Sequence, residues 1–152
     1  MNINELKIQL PKGRAILAFD YGEKRLGIAV SDLLLMTANP VGIIQRSNFD
    51  KDVAQIKQII AEKEVGALVY GMPLQMDGTE GETAASVRKF AEQIAKEIDL
   101  PYIFWDERLS SRAVESFFIK EMDMSRAKRK QKLDSGAAAY ILEGVLDALR
   151  YL

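Results

Sequence analysis

Apolar positions along the chain change period twice, and those changes divide it into elements. Ala15-Ile-Leu-Ala-Phe19 is a continuous apolar run closed by Asp20, which reads as a strand buried on both faces. Tyr21-Gly22-Glu23-Lys24 has turn chemistry, and Leu26-Gly-Ile-Ala-Val30 is a second strand close enough to form a hairpin with the first. A third strand is expected over residues 41–45, after Pro40. From there the repeat becomes helical: Val53, Ile56 and Ile60 follow the cap candidates Ser47 and Asn48. Ala67-Leu-Val-Tyr70 is a fourth strand, ended by Gly71 and followed by a loop over residues 72–81. Thr79 and Glu82 offer a capping box for a helix with Val87, Phe90, Ile94 and Ile98 on one face, closed by Pro101. Tyr102-Ile-Phe-Trp105 is a fifth strand. Ser110 or Ser111 then caps a short helix carrying Val114, Phe117 and Phe118; a polar connector over residues 125–132 leads to a final helix over residues 134–149. Residues 1–13 carry little pattern and are expected to be a weakly specified tail.

The order β-β-β-α-β-α-β-α-α predicts an α/β fold: a five-stranded mixed sheet, three antiparallel N-terminal strands then two parallel ones, with helices on both faces. No repeat, linker or low-complexity tract interrupts it, so residues 1–152 read as one domain, a size that buries a core unaided.

Composition narrows the chemistry. Cysteine and histidine are both absent, which removes disulfides, Ser-His and Cys-His nucleophile pairs and the common zinc sites. Hydrolysis with the remaining side chains points to Mg²⁺ or Mn²⁺, one or two ions, held by carboxylates. Missing cysteines fit a cytoplasmic setting. No apolar run is long enough for a membrane helix and the N-terminus lacks a signal pattern, so no membrane association is expected.

Three acids stand out by position. Asp20 ends strand one, and Asp106-Glu107 end strand five; parallel strands would put these on one sheet edge, where α/β folds gather ligands. Asp134 opens a stripe continued by Ala138, Ile141 and Val145, so it should face the sheet, with a helix N-cap as its plainer role. Plainer roles exist for the others too: Asp20 as a turn residue, Asp106-Glu107 as a strand-end loop paired with Arg108. Convergence favours a shared site, because clustered like charges are costly without a cation among them.

Arg126-Ala-Lys-Arg-Lys-Gln-Lys132 packs five cations into seven residues beside Asp134. Such runs (here Arg126, Lys128, Arg129, Lys130 and Lys132) attract phosphate backbones without reading sequence. Lys24 and Arg25 are further phosphate candidates, a plain surface role being the alternative. The loop over residues 71–81 is glycine-rich and long enough to be functional, but matches neither common nucleotide-binding glycine motif.

Taken together, Phe19-Asp-Tyr-Gly, Arg25-Leu-Gly-Ile-Ala-Val-Ser-Asp32, Gly71-Met-Pro-Leu, Met76-Asp-Gly-Thr-Glu-Gly81, Asp106-Glu-Arg-Leu and Leu133-Asp134 with Ala137-Ala138 resemble the YqgF (RuvX) family. This branch of the RNase H-like superfamily is related to the RuvC resolvases. Mild departures are Ser110-Ser111 for threonines, and Met72 and Gln75 for Leu and Asn. The resemblance implies an RNase H-like fold and a metal-dependent nuclease maturing the 5′ end of pre-16S ribosomal RNA, with Holliday-junction resolution on branched DNA as the competing role. It implies Asp20, Glu107 and Asp134 as catalytic metal ligands with Asp106 beside Glu107. Arg108, next in the chain, is a further nucleic-acid candidate, and a monomer or weak homodimer is expected. Many RNase H-like nucleases also carry an acid at the end of strand four; here Gly71-Met72-Pro73 stands there, so strand five must complete the set. Two other classes compete: a nucleic-acid-binding module without activity, and an actin-like sugar kinase or ATPase, which generally needs two such domains.

Overall fold

A computed structural model describes residues 1–107 and 126–152, giving only the course of the backbone for residues 126–135. One five-stranded sheet has the order β3-β2-β1-β4-β5, built from β1 (Ala15–Asp20), β2 (Arg25–Ser31), β3 (Ala38–Gln45), β4 (Val65–Met72) and β5 (Tyr102–Asp106). β2 is antiparallel to both β1 and β3, while β4 runs parallel to β1 and β5. This is the expected mixed sheet. β3 begins three residues earlier than its apolar run, carried through Pro40 as an edge strand, where a missing N–H costs no ladder bond.

Both faces are covered, which explains why β1 and β4 read as unbroken apolar runs. Leu17, Phe19, Leu68 and Tyr70 face α2 (Phe49–Lys63) and α3 (Glu82–Glu97), meeting Val53, Ile56, Val87, Phe90 and Ile94. Ile16, Ala18, Ala67 and Val69 face α4 (Arg126–Arg150), meeting Ala138, Ile141, Leu142 and Val145. The predicted stripes of α2 and α3, and Ala138, Ile141 and Val145 of the final helix, are thus the ones that pack. Asn48 caps α2, its side chain accepting from the Lys51 amide.

Four expectations need correction. The N-terminal segment holds a helix, α1 (Ile3–Gln9), capped by Asn2 and anchored by fully buried Leu6 in the α4-side core. Thr79 does not cap α3; Gly81 precedes it without a side-chain cap, and the Thr79 hydroxyl bonds Asp77 and Gln75 inside the loop. The last helix starts at Arg126, so the basic run forms its first turns instead of a connector. Asp134 therefore lies well inside a helix, where an N-cap role is impossible. The expected short helix with Val114, Phe117 and Phe118 lies outside the described residues, as does Arg108. Among the described residues no helix is long and apolar enough to cross a membrane.

Candidate active site

The parallel ladder sets the acids. Phe19 of β1 pairs with Tyr70 of β4, so Asp20, one step on, comes alongside Gly71. On β4's other side Met72 pairs with Asp106, and the Glu107 amide donates to the Met72 carbonyl over 3.2 Å. Asp20 and Asp106-Glu107 thus flank the end of β4 on one edge of the sheet. β4 brings no acid to this edge, and Glu107 fills the gap: its Oε1 lies 2.7 Å from the point a Cβ on Gly71 would occupy. Its carboxyl is folded back from β5 across the end of β4. Gly71 leaves the room for this approach, since a Cβ there would meet the ends of both the Glu107 and the Ile141 side chains and push one or both aside.

The electrostatics follow. Burial, then the neighbouring charges of Asp20 and Asp106, push the Glu107 carboxyl up to about 7. A carboxyl raised this far beside two other acids marks a place where negative charge is crowded. The donors are all carboxylate oxygens, which suits a hard divalent ion. Among the described residues no three acids stand close enough to form a complete metal cage by themselves.

The β1–β2 turn borders Asp20 on the other side. A cavity of about 440 Å³ there is lined by Asp20, Tyr21, Gly22, Glu23, Lys24, Arg25, Gly27 and Ile43. Lys24 and Arg25 are exposed at its rim, so the structure brings these two predicted cations to the acid edge. A feature that sequence reasoning missed holds this turn: Arg46, just after β3, donates from Nη1 to the Gly22 carbonyl over 3.1 Å and reaches buried Asp52 of α2.

α4 runs from the acid edge toward the opposite one. Ile141 touches the Gly71 position, while Arg150 near its other end donates to the Met36 carbonyl in the β2–β3 connection. Asp134, seven residues before Ile141, lies about 10 Å further along the helix axis in the direction of the acid edge. Arg126, Lys128, Arg129, Lys130 and Lys132 occupy the turns before it.

The β4–α3 loop borders the same edge and is internally bonded. The Gln75 amide donates to the Thr79 carbonyl and the Gly78 amide to the Gln75 carbonyl, each over 2.8 Å. Glu80 pairs with Arg88, whose guanidinium lies 4.7 Å from the Phe104 ring centre and ties the loop to α3.

The chain is similar to known proteins in sequence and in fold. Residues 14–148 match the family model RuvX, described as Holliday junction resolvase. A protein of Mesorhizobium japonicum named "Putative pre-16S rRNA nuclease" is 47% identical over 143 residues, covering 94% of this chain and 86% of its own. Its namesake in Bartonella henselae is 42% identical over 152 residues, covering 100% and 95%. In fold, the chain is similar to Thermus thermophilus RuvC in complex with a Holliday junction substrate (TM-score 0.54, 14% identity, 90% of this chain and 96% of that one). The fowlpox virus resolvase bound to Holliday junction DNA is similar at TM-score 0.54 and 11% identity, with 89% and 98% covered. With the family pattern matched over nearly its whole length and such relatives at over 40% identity, the chain belongs to the RuvX (YqgF) family.

Proposed function

We propose that this chain is a divalent-metal-dependent nuclease that processes the 5′ end of pre-16S ribosomal RNA, with Asp20, Glu107 and Asp134 as its catalytic carboxylates and Asp106 as an auxiliary ligand. The observation that carries this reading is the Glu107 carboxyl, folded over Gly71 and held near neutrality by burial, Asp20 and Asp106. A bound Mg²⁺ or Mn²⁺ would offset that repulsion and polarise the scissile phosphate. The chain's own groups do the rest. Asp20 at the end of β1 and Glu107 over the end of β4 would hold the ion, Glu107 in its ionised form. Lys24 and Arg25, at the rim of the cavity beside Asp20, draw phosphates toward the acids. The basic turns at the start of α4 add a backbone-binding stretch on the same side.

Cleavage of four-way DNA junctions is a second reading, favoured by the family model's own description. One assay separates them: cleavage of a structured rRNA precursor and of a four-way junction, each with Mg²⁺ or Mn²⁺, by the native chain and by Asp20→Asn. Metal-dependent cutting of the precursor alone, lost in the variant, is the expected result. Preference for the junction selects the second reading, and cutting that survives Asp20→Asn removes this site from the chemistry.

A further inference from the structure

Arg46 is placed as no surface arginine would be. Its side chain is only 19% exposed. Its own amide donates to the Lys24 carbonyl over 2.9 Å and its Nη1 to the Gly22 carbonyl over 3.1 Å. The guanidinium lies 5.1 Å from the Tyr21 ring centre and 5.2 Å from that of Phe90. Nε faces an oxygen of Asp52 at 3.5 Å, and the other oxygen of that carboxylate accepts the Ser47 amide over 3.1 Å. One side chain thus binds the β1–β2 turn through a ring and a carbonyl, and braces it against α2 and α3.

Stability alone is a weak reason for this arrangement. Enclosing a guanidinium–carboxylate pair costs desolvation, and apolar side chains of similar volume often serve a core as well or better. What the arginine supplies and an apolar side chain cannot is direction: a planar fork that fixes a carbonyl, a carboxylate and two rings at once. Tyr21 and Gly22 are the two residues immediately after Asp20.

We propose that Arg46 is a positioning residue of the reaction: through the Tyr21 ring and the Gly22 carbonyl it fixes the turn that aims the Asp20 carboxylate at a divalent cation. This rests on the reading of Asp20 and Glu107 as a metal site. Outer partners that orient metal ligands typically matter by about 10- to 100-fold in metal affinity or activity, and that is the effect expected here.

The test measures Mn²⁺ affinity of the full chain by calorimetry, alongside kcat and KM for cleavage, in Arg46→Met, Arg46→Lys and the double variant Arg46→Met/Asp52→Asn. The double variant removes the carboxylate that Arg46→Met leaves buried and alone, and so decides the matter if the single variant does not fold. Mn²⁺ binding should weaken about 10-fold or more in Arg46→Met and in the double variant, with kcat falling and substrate KM changing less than about twofold. Arg46→Lys should recover part of the affinity, because an ammonium can reach the Gly22 carbonyl or Asp52 but cannot hold both in one plane. Lower melting temperature with native Mn²⁺ affinity in Arg46→Met or the double variant overturns the inference and leaves a merely structural ion pair. Asp20→Asn, run in parallel, separates the failures. Loss of Mn²⁺ binding there but not in the Arg46 variants overturns this inference alone; unchanged binding in Asp20→Asn overturns the site and the inference together.

Discussion

Replacing Glu107 by glutamine should make the metal-free protein more stable at alkaline pH and leave it little changed in acid. The Glu107 carboxyl titrates near 7 in the fold against an ordinary value of 4.5, because it is partly buried and faces Asp20 and Asp106. Below pH 4.5 it is protonated in both folded and unfolded chains and costs nothing. As pH rises from 4.5 toward 7 the unfolded chain ionises first, so the native state loses stability through that window and stays at the lower level above it. Taken at full value this loss is about 3 kcal/mol. Water reaches part of this half-buried group, which screens it to about 1–2 kcal/mol. Glu107→Gln has no such titration. Thermal unfolding with chelator present should therefore show the variant gaining about 2–8 °C over the native chain between acid and mildly alkaline buffer. Mn²⁺ should reverse the order at alkaline pH: at 100 times its dissociation constant it adds about 2.7 kcal/mol to the native chain, and much less to the variant. A constant offset between the two proteins across the whole pH range would refute the reasoning, since it would mean that neither burial nor the neighbouring acids raise the Glu107 carboxyl.

Asp20→Asn should keep the fold, melt no lower than the native chain in chelator, and lose most cleavage; native-rate cutting with unchanged Mg²⁺ dependence removes Asp20 from the mechanism. In Gly71→Ala the new methyl pushes aside the ends of the Glu107 and Ile141 side chains, so unfolding free energy should fall by about 1 kcal/mol or less and Mn²⁺ binding should weaken. An alanine variant with native melting and Mn²⁺ affinity would mean that Glu107 does not depend on that gap. Replacing Lys128, Arg129 and Lys130 together by alanine should weaken binding alike across unrelated sequences. It should also flatten the salt dependence, by a little under one unit of log–log slope for each phosphate no longer neutralised on duplex DNA. An unchanged slope would make the run a solvated helix face, and a loss confined to one sequence would mean it reads bases.

Period and punctuation in the sequence were enough for β1, β2, β4, β5, α2 and α3, because burial on both sheet faces leaves continuous apolar runs and packing of one helix face leaves a 3.6-residue stripe. α1 was missed because seven residues anchored by one fully buried leucine give too short a period to register. The early start of α4 had a usable signal: nothing from Arg126 to Asp134 breaks a helix, and Ala, Lys, Arg and Gln all favour one. Charge density alone suggested a connector there.

Asp20, Asp106 and Glu107 were legible as candidates because each ends a recognisable strand, and strand direction in a parallel sheet sends such ends to one edge. The order β1-β4-β5 was not legible, and it decides that Glu107 must cross β4 to approach Asp20 and that Gly71 is the residue that lets it pass. Arg46 was out of reach for the same reason. In the sequence it is a lone charge after a strand, and the Gly22 carbonyl it fixes lies 24 residues away. Periodicity is imposed by the packing of every residue of an element against one face, so it is written into the local sequence. A side chain's partner across the sheet is set by which elements become neighbours, and that information exists only once the chain has folded.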